Sequence, residues 1–138
     1  MRTHIYFCLT GENFDFEEIT KIMGVTPTLT RRKDEFPQQS IAAGVACAEW
    51  ILELEEKNCT AISIVFDNLY NILKDKTIII NNLCNEYDIK AWFEIVVHTK
   101  EENGPELVLT RENIKFASSL NAGIGFNLYY NEGETYID

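Results

Sequence analysis

Two histidines are the first residues to consider, because an imidazole can ligate a metal or transfer a proton near neutral pH. His4 and His98 are the only two histidines in the chain, and both lie in segments that alternate like β-strands. If those strands are neighbours, the two rings and the carboxylate of Glu94 could hold a metal ion or perform general acid–base chemistry. Their spacing matches no recognisable ligand motif. We therefore predict two half-exposed histidines, no metal site and no cofactor.

Three glutamates in one strand-like segment form a second possible acid–base group. Glu53 and Glu55 share a face of this strand, and Glu56 follows. Paired carboxylates divide acid and base roles when their surroundings separate their pKa values. In a chain with 22 acidic residues, a solvated face that also protects a sheet edge from aggregation is the simpler interpretation. No nucleophile elbow, Walker loop or H-E-x-x-H sequence is present, so we assign no catalytic residue and favour a non-enzymatic role.

The only basic cluster of the sequence is Arg31-Arg32-Lys33, at the start of a long loop. Guanidinium groups bind carboxylates and other anions through paired hydrogen bonds, so this cluster indicates a candidate ligand loop at residues 31–48. Local salt bridges are the favoured interpretation, since Asp34 and Glu35 follow at once.

Aromatic residues on the less apolar faces of the strands predict an interaction surface. Trp92 lies opposite the core residues of its strand, and Tyr6 and Tyr129 lie on comparable faces, as does Cys8. If helices cover only one side of the sheet, these rings are exposed on the other side, where clusters of this kind mark binding surfaces. We predict that Glu53 and Glu55 extend this surface. The alternative is that the loop from Asp34 to Ala48 covers the rings, because its second half is apolar.

Period-two alternation or β-branched content predicts five strands. They are His4–Thr10, Thr28–Lys33, Trp50–Glu55, Ile89–His98 and Ile124–Tyr130. A turn at Asn103-Gly104-Pro105 predicts a sixth strand, Glu106–Leu109, as the returning arm of a hairpin.

Helical periodicity and capping residues predict the connecting helices. Asp15 caps a helix that begins at Phe16, and Gly24 ends it. A stripe from Ile62 to Leu73 predicts the next helix, with a break at Asp75 and Lys76 and a further helix to about Tyr87. A short strand at Ile78–Ile80 is the alternative for the start of that further helix. Thr110 caps the last helix, which Gly123 and Gly125 are expected to end.

The element order is β-α-β-β-α-β followed by β-α-β. This alternation favours an α+β fold with a predominantly antiparallel sheet and helices packed on one face. Its first six elements match the split pattern of ferredoxin-like folds.

Composition limits the class of protein and its partners. A chain of 138 residues with 46% hydrophobic residues is the size of one domain, spanning residues 1–138. Its net charge of -10 repels nucleic acid and anionic membranes and attracts basic proteins. No segment has the length of a secretory signal or a membrane span, and the four cysteines lack C-x-x-C spacing. We expect a cytoplasmic protein.

Several motifs together resemble the bacterial domain-of-unknown-function family 4279. They are the acidic helix start Phe14–Ile19, the helix exit Gly24-Val25-Thr26-Pro27, the strand start Trp50-Ile51-Leu52 and the joint Gly104–Thr110. The resemblance covers almost the whole chain and implies a soluble bacterial protein. It implies no catalytic or binding residue.

The leading hypothesis is a non-enzymatic module, like an acidic immunity protein, that binds another protein through the open sheet face and its acidic rim. The net charge favours a basic partner. The alternative is a small-molecule sensor in which the loop at residues 31–48 closes over a ligand; fold analogy alone supports it. The oligomeric state is left open by the sequence.

Overall fold

The structure, a computed structural model, describes residues 2–100 and 106–130. Five strands form one sheet in the order β2-β3-β1-β4-β5. Their bounds are Arg2–Gly11 (β1), Leu29–Arg31 (β2), Ala48–Glu56 (β3), Lys90–Thr99 (β4) and Gly123–Tyr130 (β5). The neighbouring pairs β2–β3, β3–β1 and β1–β4 are antiparallel, whereas β5 runs parallel to β4. The predicted α+β class and mainly antiparallel sheet are confirmed, and the ferredoxin-like comparison stays a prediction.

Five α-helices connect these strands within the described ranges. They are Phe16–Met23 (α1), Gln38–Ala42 (α2), Ile62–Leu73 (α3), Thr77–Tyr87 (α4) and Arg111–Ser119 (α5). The Asp15 side chain accepts hydrogen bonds from the first-turn backbone of α1, and Gly24 ends that helix with a φ of 69°. A turn of 3-10 helix, Lys74–Lys76, separates α3 from α4. The predicted helix starts, the left-handed exit and the break are therefore confirmed.

The core lies between the helices and one face of the sheet. Its strand side consists of alternate residues of β1, β3 and β4, and its helix side includes the buried stripe of α3. The Phe93 ring lies 5.3 Å from that of Phe7 and 5.0 Å from that of Phe66, measured between centroids. The other face of the sheet, which we call the open face, therefore carries the alternate residues of the same strands.

Two expectations for the C-terminal part are wrong. Residues 106–109 form no strand: Glu106 makes one isolated bridge to Ala61, and the next three residues have no regular structure. The reason is that β1 and β5 occupy both edges of β4, so no edge remains for a returning hairpin arm. Gly123 and Gly125 lie inside β5 and do not end α5; Asn121, with a φ of 52°, makes that turn. The predicted turn at residues 103–105 lies outside the described residues.

No helix in the described part of the chain is both long enough and apolar enough to cross a membrane.

Candidate functional site

The open face brings together all five residues that the sequence placed on an interaction surface. Strand register is the cause, because cross-strand partners point to the same side of a sheet. Tyr6 is paired with Glu53, His4 with Glu55, Cys8 with Trp92, and His98 with Tyr129. These pairs alternate with the buried residues Ile5, Phe7 and Leu9 of β1. Tyr6, Glu53, Glu55, Trp92 and Tyr129 therefore share one surface.

The long loop leaves the rings of Trp92 and Tyr129 on this face uncovered. Trp92 is 41% exposed and Tyr129 is 49% exposed. Helix α2 and the 3-10 turn at Lys33–Glu35, which form much of the loop, bury none of their own side chains. Cys8, beside Trp92 in the register, is buried. The loop therefore does not cover the rings of Trp92 and Tyr129.

The Trp92 indole is held against the sheet by polar and steric contacts. Its Nε1 donates a hydrogen bond to Glu94 Oε2 at 2.7 Å, and Glu94 also accepts one from Asn127 Nδ2. Beneath the indole lie Gly123 and Gly125, where a Cβ atom would overlap with the Trp92 ring or the Glu94 carboxylate. The glycines thus leave room for a flat, oriented ring.

A second part of the open face combines His4 with two carboxylates. His4 Nδ1 lies 2.8 Å from Glu53 Oε1, and His4 Nε2 lies 3.2 Å from Glu55 Oε2. The side chains of His4, Glu53 and Glu55 are 14%, 27% and 33% exposed, so water screens them only in part. Burial, and then the charges of Glu53 and Glu55, raise the pKa of Tyr6. The Tyr6 hydroxyl therefore stays protonated at neutral pH.

The two histidines meet, as the sequence suggested for neighbouring strands. The rings of His4 and His98 are edge to face with centroids 6.0 Å apart. His4 also stacks on Tyr6 at 6.0 Å, and His98 stacks on Tyr129 at 5.1 Å. Glu94, which the sequence grouped with the histidines, instead hydrogen-bonds Trp92. The pairing of His4 with Glu53 and Glu55 of β3 is not predicted from the sequence. The only sequence signal for this pairing is the alternation of residues in both strands.

The basic cluster at the start of the long loop is engaged by other side chains. Arg31 pairs with Glu49 at 3.4 Å, and its guanidinium lies 3.8 Å from the ring centroid of Phe36. Lys33 forms an ion pair with Glu12. Arg32 lies 5.2 Å from the centroid of the Phe16 ring. This is the arrangement of the salt-bridge interpretation, although the partner carboxylates belong to β1, β3 and their flanks and are not those of Asp34 and Glu35.

Two clefts lie at the end of the sheet where β1 ends and β3, β4 and β5 begin. One, of about 470 Å³, is bounded by the long loop and includes Arg32, Lys33 and Ile41. The other, of about 600 Å³, is lined by Trp92 and several polar residues that the sequence did not single out. These include Asn81, Asn85, Lys90 and Asn121.

Comparison with known proteins identifies a family. Neither the curated proteins nor the solved structures gave a match. A family model described as "Domain of unknown function (DUF4279)" matches residues 1–131 of the 138-residue chain. This match has the extent expected from the helix start, helix exit and strand motifs noted above. The chain therefore belongs to the DUF4279 family.

Proposed function

We propose that this protein is a non-enzymatic interaction module that binds a basic protein through the open face. The observation that carries this proposal is the exposure of Trp92 and Tyr129 on a surface that also bears Glu53, Glu55 and Glu94. Aromatic faces attract lysine and arginine through cation–π contacts. Carboxylates bind the same side chains through charge-assisted hydrogen bonds. The two kinds of group together suit a basic partner.

Net charge supports the same partner class. At -10, the chain has a field that draws positively charged surfaces toward it over distances longer than any contact. Such attraction chiefly raises the association rate and weakens as salt is added. This is the behaviour of an acidic, immunity-type protein.

The rings that would make the contact are already oriented in the free protein. Glu94 holds the Trp92 indole, and the His98 ring stacks on Tyr129. Binding therefore costs less side-chain entropy than it would with freely rotating rings. Strands about 4.8 Å apart, rising about 3.3 Å per residue, make this face roughly 20 Å by 30 Å. That size is comparable with one side of a standard protein interface.

The experiment compares two neighbouring tyrosines of β5. Tyr129 lies on the open face, whereas Tyr130 points to the other side and is also exposed, at 51%. Protein captured from the native host at low ionic strength is identified, purified and titrated against the wild type, Trp92→Ala, Tyr129→Ala and Tyr130→Ala. We expect Trp92→Ala and Tyr129→Ala to weaken binding at least about tenfold, Tyr130→Ala to have little effect, and high salt to weaken all complexes. Equal loss in the two tyrosine variants, or a partner that is not basic, contradicts the proposal.

A second candidate function is a small-molecule sensor that uses the loop at residues 31–48. The cleft of about 470 Å³ beside Arg32 and Lys33 favours it, since small ligands occupy clefts of this size. A ligand that binds there raises the melting temperature of the folded protein. The test is a thermal-shift screen of anionic metabolites, with Arg32→Ala expected to remove the shift and Trp92→Ala to preserve it.

A further inference from the structure

The imidazole of His4 has a carboxylate at each of its ring nitrogens. Nδ1 lies 2.8 Å from Glu53 Oε1, and Nε2 lies 3.2 Å from Glu55 Oε2. A neutral imidazole carries one N–H and one lone pair, so it can donate to only one of these oxygens. At its other nitrogen, a lone pair faces a carboxylate oxygen. That contact is repulsive unless a proton or another cation lies between the two atoms.

We propose that a divalent transition-metal ion of the zinc type binds here, with His4 Nε2 and a Glu55 oxygen as ligands. Glu53 then acts as a positioning residue. The shorter contact, at Nδ1, has the length of an N–H···O hydrogen bond, so Glu53 favours the tautomer whose lone pair is at Nε2. Metal-binding histidines are commonly oriented in this way by a carboxylate at the second ring nitrogen.

The distances suit a small divalent ion. Zinc–nitrogen and zinc–oxygen bonds of about 2.0–2.2 Å place two ligand atoms of a tetrahedral ion about 3.4 Å apart. The separation of 3.2 Å between Nε2 and the Glu55 oxygen is close to this value. His4, Glu53 and Glu55 each have a ring nitrogen or carboxylate oxygen within 4.8 Å of those of the other two, so the three side chains form one cluster. Water fills the remaining coordination positions, because the cluster is partly exposed.

Charge also favours a cation at this place. When the imidazole is neutral, Glu53 and Glu55 give the cluster two negative charges. Arg2 lies on the same face of β1, two residues from His4, and contributes one positive charge. The remaining negative charge is only partly screened, since no side chain of the cluster is more than 33% exposed. An imidazole ligand favours zinc, cobalt or nickel over magnesium and calcium, which prefer oxygen ligands alone.

The test uses tag-free, full-length protein stripped of metal with a chelator. Calorimetric titration with Zn²⁺ is expected to show one saturable site and titration with Mg²⁺ none. Because the chain has two histidines, the ring C–H signals in a carbon–proton NMR spectrum separate His4 from His98. Zinc is expected to shift the His4 signals most. This measurement needs no variant and no partner protein, so it is independent of the protein-binding proposal.

Variants then assign the roles. His4→Ala and Glu55→Gln are expected to abolish the zinc site. Glu53→Ala should weaken it about 10- to 100-fold, and Glu53→Gln should restore part of that loss because its amide oxygen can still accept the Nδ1 hydrogen bond. Glu49→Gln, on the same strand and face but outside the cluster, is the matched control and should bind normally. Circular dichroism checks that each variant is folded.

Three results overturn the proposal. The first is the absence of saturable zinc binding by the wild type. The second is a loss in Glu49→Gln as large as that in Glu55→Gln, which would mean diffuse attraction to surface carboxylates. The third is a zinc-induced shift confined to His98.

Discussion

The indole of Trp92 lies directly over Gly123 of the neighbouring strand. A Cβ atom on Gly123 would overlap with the six-membered part of that ring, and one on Gly125 would approach the Glu94 carboxylate to 2.5 Å. Trp92 is paired with Gly123 across β4 and β5, so the indole and any side chain at position 123 must lie on the same side of the sheet. Gly123 is thus a strand residue that must be glycine because the Trp92 ring lies so close, and it does not end α5.

Gly123→Ala is expected to displace the Trp92 indole and lower the free energy of unfolding by about 1–3 kcal/mol, as overpacking does. The measurements are urea unfolding and tryptophan fluorescence, with a red shift expected because Trp92 moves further into water. Trp92→Ala provides the control background: once the ring is absent, Gly123→Ala should cost much less. An equal cost in both backgrounds would mean that the ring is not the reason for the glycine.

Phe93→Ala is expected to lower the free energy of unfolding by about 3–5 kcal/mol, because it leaves a cavity in the core. The Phe93 side chain is fully buried against Phe7 and Phe66. The matched control is Phe126→Ala on the adjacent strand, where the ring is 49% exposed and should contribute less than about half as much. Urea unfolding of both variants checks the order, and a larger loss in Phe126→Ala would contradict this packing.

Asn113→Ala is expected to cost about 2–3 kcal/mol, since it removes two part-buried hydrogen bonds of a buried side chain, one of them to a charged group. The Asn113 side chain accepts from the Thr110 backbone at 3.0 Å and donates to Asp67 of α3 at 2.7 Å. Thr110→Ala, which removes only the reciprocal cap, should cost about 1 kcal/mol. Equilibrium unfolding of the two variants measures the difference, and the reverse order would argue against the tie between α5 and α3.

Stability is expected to fall in alkaline solution partly through Cys8. Burial, reinforced by the charges of Glu49 and Glu94, raises the pKa of the Cys8 thiol from 9.0 to about 12. The folded protein therefore keeps a proton that the unfolded chain loses, and stability declines as pH rises from about 9 to about 12.

The measurement is the free energy of unfolding at about pH 8 and about pH 10.5, where the unfolded thiol but not the folded one is largely ionised. Cys47, Cys84 and Tyr6 also have raised pKa values and act in the same direction. The contribution of Cys8 is therefore the difference between the wild type and Cys8→Ala, whose slope should be smaller. Identical slopes would contradict the assignment.

The wrong prediction of a strand at Glu106–Leu109 shows a limit of predicting strands from local sequence pattern. A short apolar run after a turn signal is compatible with a strand, but a strand also needs a free neighbouring edge. Both edges of β4 are occupied, by β1 and by β5. Because β5 reaches its place through α5, no property of residues 106–109 could reveal that the edge was taken.

The sequence by itself determined the type of most elements and the side of β1, β3 and β4 that faces the core. Alternation in β1 and β4, the stripe of α3 and the caps at Asp15 and Thr110 act over a few residues and hold in any arrangement of the strands. Only the tertiary structure decided which distant side chains meet. Hydrogen-bond register across β3, β1, β4 and β5 places His4 between two carboxylates and Trp92 over Gly123. Register depends on how the core packs, so pairs separated by 31 to 51 residues cannot be derived from local periodicity.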